Sequence, residues 1–337
     1  MNIVYSSSDL YCECTCISLI SLFETNAHIR DINVFILSTD ISDSNKEYLI
    51  KIAKQYNREI KIIDAKEDFI KGAEKYELEL LRGAYNTYSR IMLNAWFNDL
   101  DRIIVIDSDT LVLNDISEMW SINLAGKLLA AVPEIGVYSK HNTIEDKELL
   151  STLPLYYNMG IIVVNLSEWR NRKIDDFLIS SIKNDHFKNK VADQSIINRY
   201  LNSFIVRMNL RYNFYSPIHG TSFKRINKVF CEKHIFNEKE IADAQLKPAI
   251  IHFYGHSYER PWFKHSASIF KKKYLSFRNK TKWKKEPMQK WRKSPNCIFK
   301  LYDLACFFML KMHLYNSCLS FRYVFGQKMK GKTKLKR

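Results

Sequence analysis

Asp107-Ser108-Asp109 stands at the end of the apolar run RIIVID (102–107), and His252-Phe253-Tyr254-Gly255 at the end of a second run, PAIIHF (248–253). A short, continuous β-branched stretch beside turn residues is the pattern of a covered β-strand. In extended backbone, residues i and i+2 project to the same side, so Asp107 and Asp109 can converge on one point. Open α/β sheets bind ligands beyond the carboxyl ends of their strands. Two carboxylates and an imidazole delivered to neighbouring strand ends make a partial cation site. Oxygen ligands with one imidazole suit Mn²⁺ or Mg²⁺, the remaining ligands coming from substrate phosphates and water. Alone, an Asp-x-Asp also caps strands and forms turns, and a lone buried histidine is commonplace. Together, with Arg260-Pro261-Trp262 following the second run, they predict a metal-dependent enzyme that grips a diphosphate.

The elements that must position these residues are visible as a recurrence. Strand-like runs occur at 2–6, 33–37, 59–64, 102–107, 127–132 and 160–165, and helical spacing at 14–23, 43–56, 88–97 and 168–182. Strands alternating with helices predict an α/β fold: a mainly parallel nucleotide-binding sheet with helices on both faces. Only 9 glycines occur and no G-x-G-x-x-G follows the first run, which argues against a nicotinamide or flavin dinucleotide site and against a P-loop.

Charge divides the chain. Residues 265–337 hold 20 Lys/Arg against 2 Asp/Glu, a charge of +18, leaving −2 on residues 1–264. A nearly neutral body with a basic appendage argues for surface binding by the appendage rather than a basic groove across the fold. The expected division is therefore a catalytic domain over 1–264 and an extension over 265–337. In the extension, Lys and Arg are threaded with aromatics before a helical, apolar-rich segment at 297–325 and a basic end at 328–337. About 13 aromatics between 270 and 325 are too many for an ordinary solvated tail, and no RNP, zinc-finger or helix-turn-helix signature accompanies them, so no nucleic-acid partner is expected. Cationic and aromatic side chains together suit the headgroup region of an anionic membrane surface. The 7 cysteines are odd in number, and C-x-C-x-C at Cys12, Cys14 and Cys16 is not zinc-knuckle spacing. They read as reduced and structural, which fits a cytoplasmic compartment. Neither a signal peptide nor a transmembrane segment is expected.

Several motifs, in order, resemble glycosyltransferase family 8, the retaining bacterial lipopolysaccharide galactosyl- and glucosyltransferases to which glycogenin is related. They are IVYSSSDLYC (3–12), NTYSRIML (86–93), the Asp107 triplet, YYNMGIIVVNLSEWR (156–170), ADQSIIN (192–198) and HFYGHSYERPW (252–262). The resemblance covers roughly residues 1–264 and implies a glycosyltransferase A-type fold. It implies that Ser6, Ser7, Ser8, Asp9 and Tyr11 hold the uridine of the donor. It likewise implies that Arg90 and Asn158 face the donor sugar or diphosphate, with Met159 beside the sugar, and that Asp107, Asp109 and His252 hold the metal next to Ser108. Arg260 and the Gly255 backbone N–H would meet the leaving diphosphate. The chain departs from the pattern at Ser8, Leu10, Met159 and Ser195, and the last motif is two residues longer, with Arg260 in place of lysine. Retention is also implied. Glutamine is a poor nucleophile, so same-face attack is expected, with Asp193 and Gln194 steadying an oxocarbenium-like sugar; the plainer reading of that pair is a helix N-cap.

These readings predict a Mn²⁺- or Mg²⁺-dependent hexosyltransferase that uses a UDP-sugar. Its acceptor would be a lipid-linked glycan or oligosaccharide, met at the inner face of a bacterial cytoplasmic membrane. The rivals are a sugar-nucleotide pyrophosphorylase or other nucleotidyl transferase, and a non-enzymatic membrane or nucleic-acid binding protein.

Overall fold

The computed structural model describes residues 1–75, 85–138, 147–184, 192–230, 235–291 and 297–326. The basic end at 328–337 lies outside the described residues. Among the described residues ten strands are formed: β1 (Asn2–Ser7), β2 (Asn33–Ser38), β3 (Glu59–Asp64), β4 (Arg102–Ile106), β5 (Thr110–Val112), β6 (Leu129–Pro133), β7 (Tyr157–Asn165), β8 (Ile205–Arg207), β9 (Phe214–Tyr215) and β10 (Ile250–His252). Seven make one sheet in the order β3-β2-β1-β4-β7-β6-β8, and β5-β10-β9 make a second. In the large sheet β3, β2, β1 and β4 run parallel, as do β6 and β8; β7 is antiparallel to both its neighbours. The sheet is thus mainly parallel.

Alternate residues of the central strands feed two cores, the consequence of a two-residue side-chain period in a sheet covered on both faces. Ile3, Tyr5, Ile104 and Ile106 pack with the helices Cys12–Thr25 and Asp43–Gln55. Val4, Ile103 and Val105 pack with Trp169, Leu178 and Ile197 from helices on the other side. The Cys12–Thr25 helix is buried nearly all round because it lies between the two sheets: Ser18 Oγ meets Thr110 Oγ1 at 2.9 Å, and Ser21 Oγ accepts from Val112 N at 2.9 Å. Cys12, Cys14 and Cys16 are therefore all buried, and they are free thiols.

Local structure departs from the sequence reading in three places. The expected helix at 168–182 is two helices, Leu166–Asn171 and Ile174–Asn184, separated where Lys173 takes a φ of 49°. The pattern at 88–97 becomes a 3₁₀ segment, Tyr85–Ile91, followed by the short helix Leu93–Trp96. The run ending in His252 belongs to the small sheet, where β10 is antiparallel to β5.

After Lys264 the described residues stay on the body. Tyr274 and Phe277, in the helix Lys271–Arg278, join the core that contains Ile3 and Tyr5, and so do Trp283, Leu319 and Tyr323. Buried Arg278 reaches Glu13 at 2.5 Å. Two further helices, Cys297–Lys311 and Tyr315–Ser320, form a smaller cluster around Tyr258, Tyr302, Cys306 and Cys318.

Candidate metal and donor site

The segment linking β4 to β5 carries the chain from the large sheet to the small one, and it contains both aspartates. Asp107 N donates to Gly160 O at 2.8 Å, which ties the end of β4 to β7. Because β10 pairs with β5, His252 stands opposite Thr110, and Phe253 N donates to Asp109 O at 2.9 Å. That register delivers the imidazole to the carboxylates: His252 Nε2 is 3.2 Å from Asp109 Oδ1 and 3.7 Å from Asp107 Oδ2. One donor atom from each of the three residues lies within 4.8 Å of the others. The same-side projection expected of Asp107 and Asp109 is realised across a turn between two sheets.

The imidazole is oriented from behind. His252 Nδ1 lies 3.0 Å from Asn213 Oδ1, while Asn213 Nδ2 donates to Asn158 Oδ1 at 2.8 Å. Asn213 Oδ1 is thus the acceptor, so Nδ1 carries a proton and Nε2, which faces the aspartates, is the nitrogen left to bind a cation there, the arrangement that metal-bound histidines show. Asn158 Nδ2 donates to Glu134 Oε2 at 2.7 Å, and Tyr254 OH to Glu134 Oε1 at 3.2 Å. Burial lowers the His252 basicity, but the carboxylates of Asp109, Asp107 and Glu134 together outweigh it and the net direction is up. Burial likewise works to raise Asp109, yet His252 beside it brings that carboxyl below its ordinary value. For Asp107 burial prevails over Arg90 and His252, and the carboxyl is raised.

The residues fit a divalent cation. A Cβ at Gly160 would lie 2.4 Å from His252 Cε1, 2.8 Å from Asp107 Oδ2 and 2.9 Å from Asn158 Oδ1. Position 160 must lack a side chain for these groups to converge. Two oxygens and one nitrogen donor are a set that a hard or borderline cation accepts.

Arg90 is buried, with Nη1 on Asp193 Oδ2 at 2.9 Å and Nη2 on Asp107 Oδ1. It bridges the metal-site carboxylate to Asp193. Both are raised by burial even with the guanidinium alongside. Gln194 Oε1 accepts from Met159 N at 3.1 Å, and the Met159 side chain is buried in the second core. Ser108 Oγ donates to Ser6 O at 3.0 Å and accepts from Thr15 Oγ1 at 2.9 Å, while Ser7 Oγ meets Thr15 Oγ1 at 2.7 Å. Ser8 precedes the short 3₁₀ turn Asp9–Tyr11, and its carbonyl accepts from Tyr11 N at 3.0 Å. Asp9 is exposed, and one oxygen takes donors from Asn45 Nδ2 at 2.7 Å and from Ser42 N and Oγ at 2.9 Å. Those bonds, Asn45 first, hold its carboxyl below the usual range.

Tyr11 and Arg260 are brought together. They line a cavity of about 160 Å³ with Leu10, Cys14, Gln289 and Lys290. Arg260 reaches it although its loop is two residues longer than the motif, and its guanidinium lies 5.5 Å from the Trp262 ring centroid. Gly255 has a φ of +124°, a conformation open to glycine at little cost.

Two residues of the site escaped the sequence reading. Glu134 follows β6, so the strand-end rule that selected Asp107 also points to it. Asn213 precedes the two-residue strand β9, where no motif marks it.

A profile of the family described as Glycosyl transferase family 8 matches residues 2–266. General stress protein A of Bacillus subtilis (strain 168) is 25% identical over 288 residues, covering 84% of this chain and 94% of that protein. Lipopolysaccharide 1,2-glucosyltransferase of Escherichia coli (strain K12) is 21% identical over 266 residues, 78% of this chain and 73% of that one. Among solved structures, galactosyltransferase LgtC in complex with donor and acceptor sugar analogs superposes with a TM-score of 0.67 at 19% identity, covering 84% of this chain and 96% of LgtC. With the family match spanning residues 2–266, the chain belongs to glycosyl transferase family 8 and is a glycosyltransferase.

Proposed function

We propose that this glycosyltransferase moves a hexose, galactose or glucose, from a UDP-sugar to a lipid-linked glycan, with retention and with Mn²⁺ or Mg²⁺ as cofactor. The observation that carries the reading is the convergence of Asp107, Asp109 and His252 on one point, with His252 Nε2 turned to the aspartates by Asn213. A divalent cation held there supplies Lewis-acid stabilisation of the charge that develops on the leaving diphosphate. Tyr11 and Arg260 border the cavity suited to the nucleotide end, and Arg260 can pair with phosphate oxygens bidentately. The Gly255 N–H adds a donor to the same oxygens. Arg90 holds Asp107 and Asp193 in fixed relation, and Gln194 is fixed by Met159 N. That constraint on the Gln194 oxygen favours a steadying role and same-face attack over a covalent intermediate.

The acceptor and the compartment rest on different observations. The protein of similar sequence in Escherichia coli is a lipopolysaccharide glucosyltransferase, which supports a glycan of that class. Among the described residues no helix is long and apolar enough to cross a membrane. The helix Cys297–Lys311 and the turn after it expose Leu301, Leu304, Phe308 and Met312 at helical spacing, beside lysines 300 and 311. An apolar stripe within a +18 extension supports peripheral attachment to an anionic leaflet, at the cytoplasmic face of the inner membrane. On this reading residues 1–264 carry most of the donor site, with Gln289 and Lys290 at the edge of its cavity, and the exposed apolar stripe of the extension faces the lipid.

Donor hydrolysis across a panel of UDP-, GDP-, ADP- and CMP-sugars, with and without Mn²⁺, tests the proposal. Mn²⁺-dependent hydrolysis confined to UDP-hexoses is the expected result. Hydrolysis unaffected by chelator, or strongest with a non-uridine donor, would overturn it.

A further inference from the structure

The loop 253–260 leaves β10 directly after His252, and it carries a buried acid. Glu259 is 6% exposed, and its Oε2 accepts from His256 N at 2.9 Å. A Cβ at Gly255 would lie 2.4 Å from that same oxygen, so the carboxylate presses against the backbone expected to meet the diphosphate. A buried negative charge there would oppose an anionic ligand. Its partner is supplied from far along the chain: Arg322 Nη1 pairs with Glu259 Oε1, the arginine side chain being 11% exposed. Arg322 Nη2 lies 3.1 Å from where a Gly255 Cβ would be.

The pairing is braced by the final helices. Tyr302 OH donates to Arg322 O at 3.3 Å, and the Tyr302 ring stacks on Phe321 with centroids 5.3 Å apart. His256 Nδ1 is 3.4 Å from Asp303 Oδ1, and its ring stacks on Tyr258 at 5.2 Å. On the next position Tyr323 belongs to the main core and packs on Phe230 at 4.6 Å. The extension that carries the exposed apolar stripe on its helix Cys297–Lys311 therefore also presents an arginine to the donor loop, from the turn Phe321–Gly326.

We propose that Arg322 is a positioning residue for the donor diphosphate: it cancels the charge of Glu259 and holds loop 255–260 in the shape that receives phosphate. This rests on the reading above, in which that loop meets the diphosphate. Removing one member of a buried ion pair leaves the other uncompensated. The consequence here is specific. Loss of Arg322 restores a negative charge next to the phosphates but not next to the uridine.

The test uses the full chain with Mn²⁺, measuring calorimetric affinity for UDP and for uridine, and the donor KM against kcat. Arg322→Met should weaken UDP by roughly tenfold, within the range of energies that couple residues in one ion-pair network, and leave uridine unchanged. It should raise KM more than it lowers kcat. Glu259→Gln added to Arg322→Met should recover most of the UDP affinity, and Arg322→Lys should retain most of it. Equal weakening of UDP and uridine, or no recovery in the double variant, would overturn the proposal. If Arg322→Met does not fold, the double variant and Arg322→Lys decide: either one losing UDP affinity tenfold or more while folded would also overturn it. Asp109→Ala in the same assay separates the two levels. If wild-type UDP binding is indifferent to Mn²⁺ and to Asp109, the underlying reading fails. If both matter and Arg322→Met binds UDP normally, only the assignment of Arg322 fails.

Discussion

Gly160→Ala puts one methyl group into the site and should separate catalysis from stability. Gly160 lies within β7, its carbonyl accepting from Asp107 N and its N–H donating to Asn158 Oδ1, both at 2.8 Å. Its φ lies outside the left-handed region, so alanine meets no backbone strain, and replacing a strand glycine is in itself favourable. The cost is local. The new Cβ would stand 2.4 Å from His252 Cε1, and unstrained carbon contacts begin at about 3.5 Å. The ring must withdraw by roughly 1 Å, and Asp107 Oδ2 by somewhat less. A displacement of about 1 Å in reacting geometry can lower a rate ~10²-fold. We expect kcat/KM for donor hydrolysis to fall by about that factor and Mn²⁺ affinity to fall ~10-fold or more, with the melting temperature nearly unchanged. Titration of Mn²⁺ against hydrolysis rate, with a parallel thermal melt, measures all three. Wild-type turnover at wild-type Mn²⁺ affinity would refute the convergence argument. A large loss of melting temperature would place the cost in the sheet instead.

Arg90→Met should destabilise the fold by about 3 kcal/mol, the lower end for breaking a buried pair because the Asp107 side chain is 35% exposed; denaturant unfolding measures it, and a change within error would mean that Asp107 and Asp193 need no bridging cation. Replacing Leu301, Leu304, Phe308 and Met312 together with serine should weaken binding to vesicles containing anionic lipid while donor hydrolysis stays near wild type. Cosedimentation measures the first, and unaltered binding would remove the stripe from the attachment surface.

The legibility of the molecule varied with the length of the pattern. Strands of five residues or more, such as RIIVI and NIVYSS, announce themselves through β-branched runs, and the acids at their ends follow. β5, β8 and β9 are too short to carry a period. Without β5 nothing in the sequence says that β10 leaves the large sheet, although that antiparallel pairing is what carries His252 to Asp109. The break at Lys173 was hidden because an apolar stripe continues on both sides of it. Arg90 was legible as a motif residue, but its two carboxylate partners come from distant segments. Glu259 and Arg322 are 63 positions apart and have no shared pattern.

The central claim is that one cation held by Asp107, Asp109 and His252 binds the donor's diphosphate. Calorimetric titration of UDP into the wild-type protein and into Asp109→Ala, each with Mn²⁺ and with chelator, tests it most directly. The account predicts that wild type binds UDP strongly only with Mn²⁺, and that Asp109→Ala, though folded, loses the Mn²⁺-dependent part. UDP binding that is the same with Mn²⁺ and with chelator, or a Mn²⁺ dependence that survives in Asp109→Ala, would contradict it.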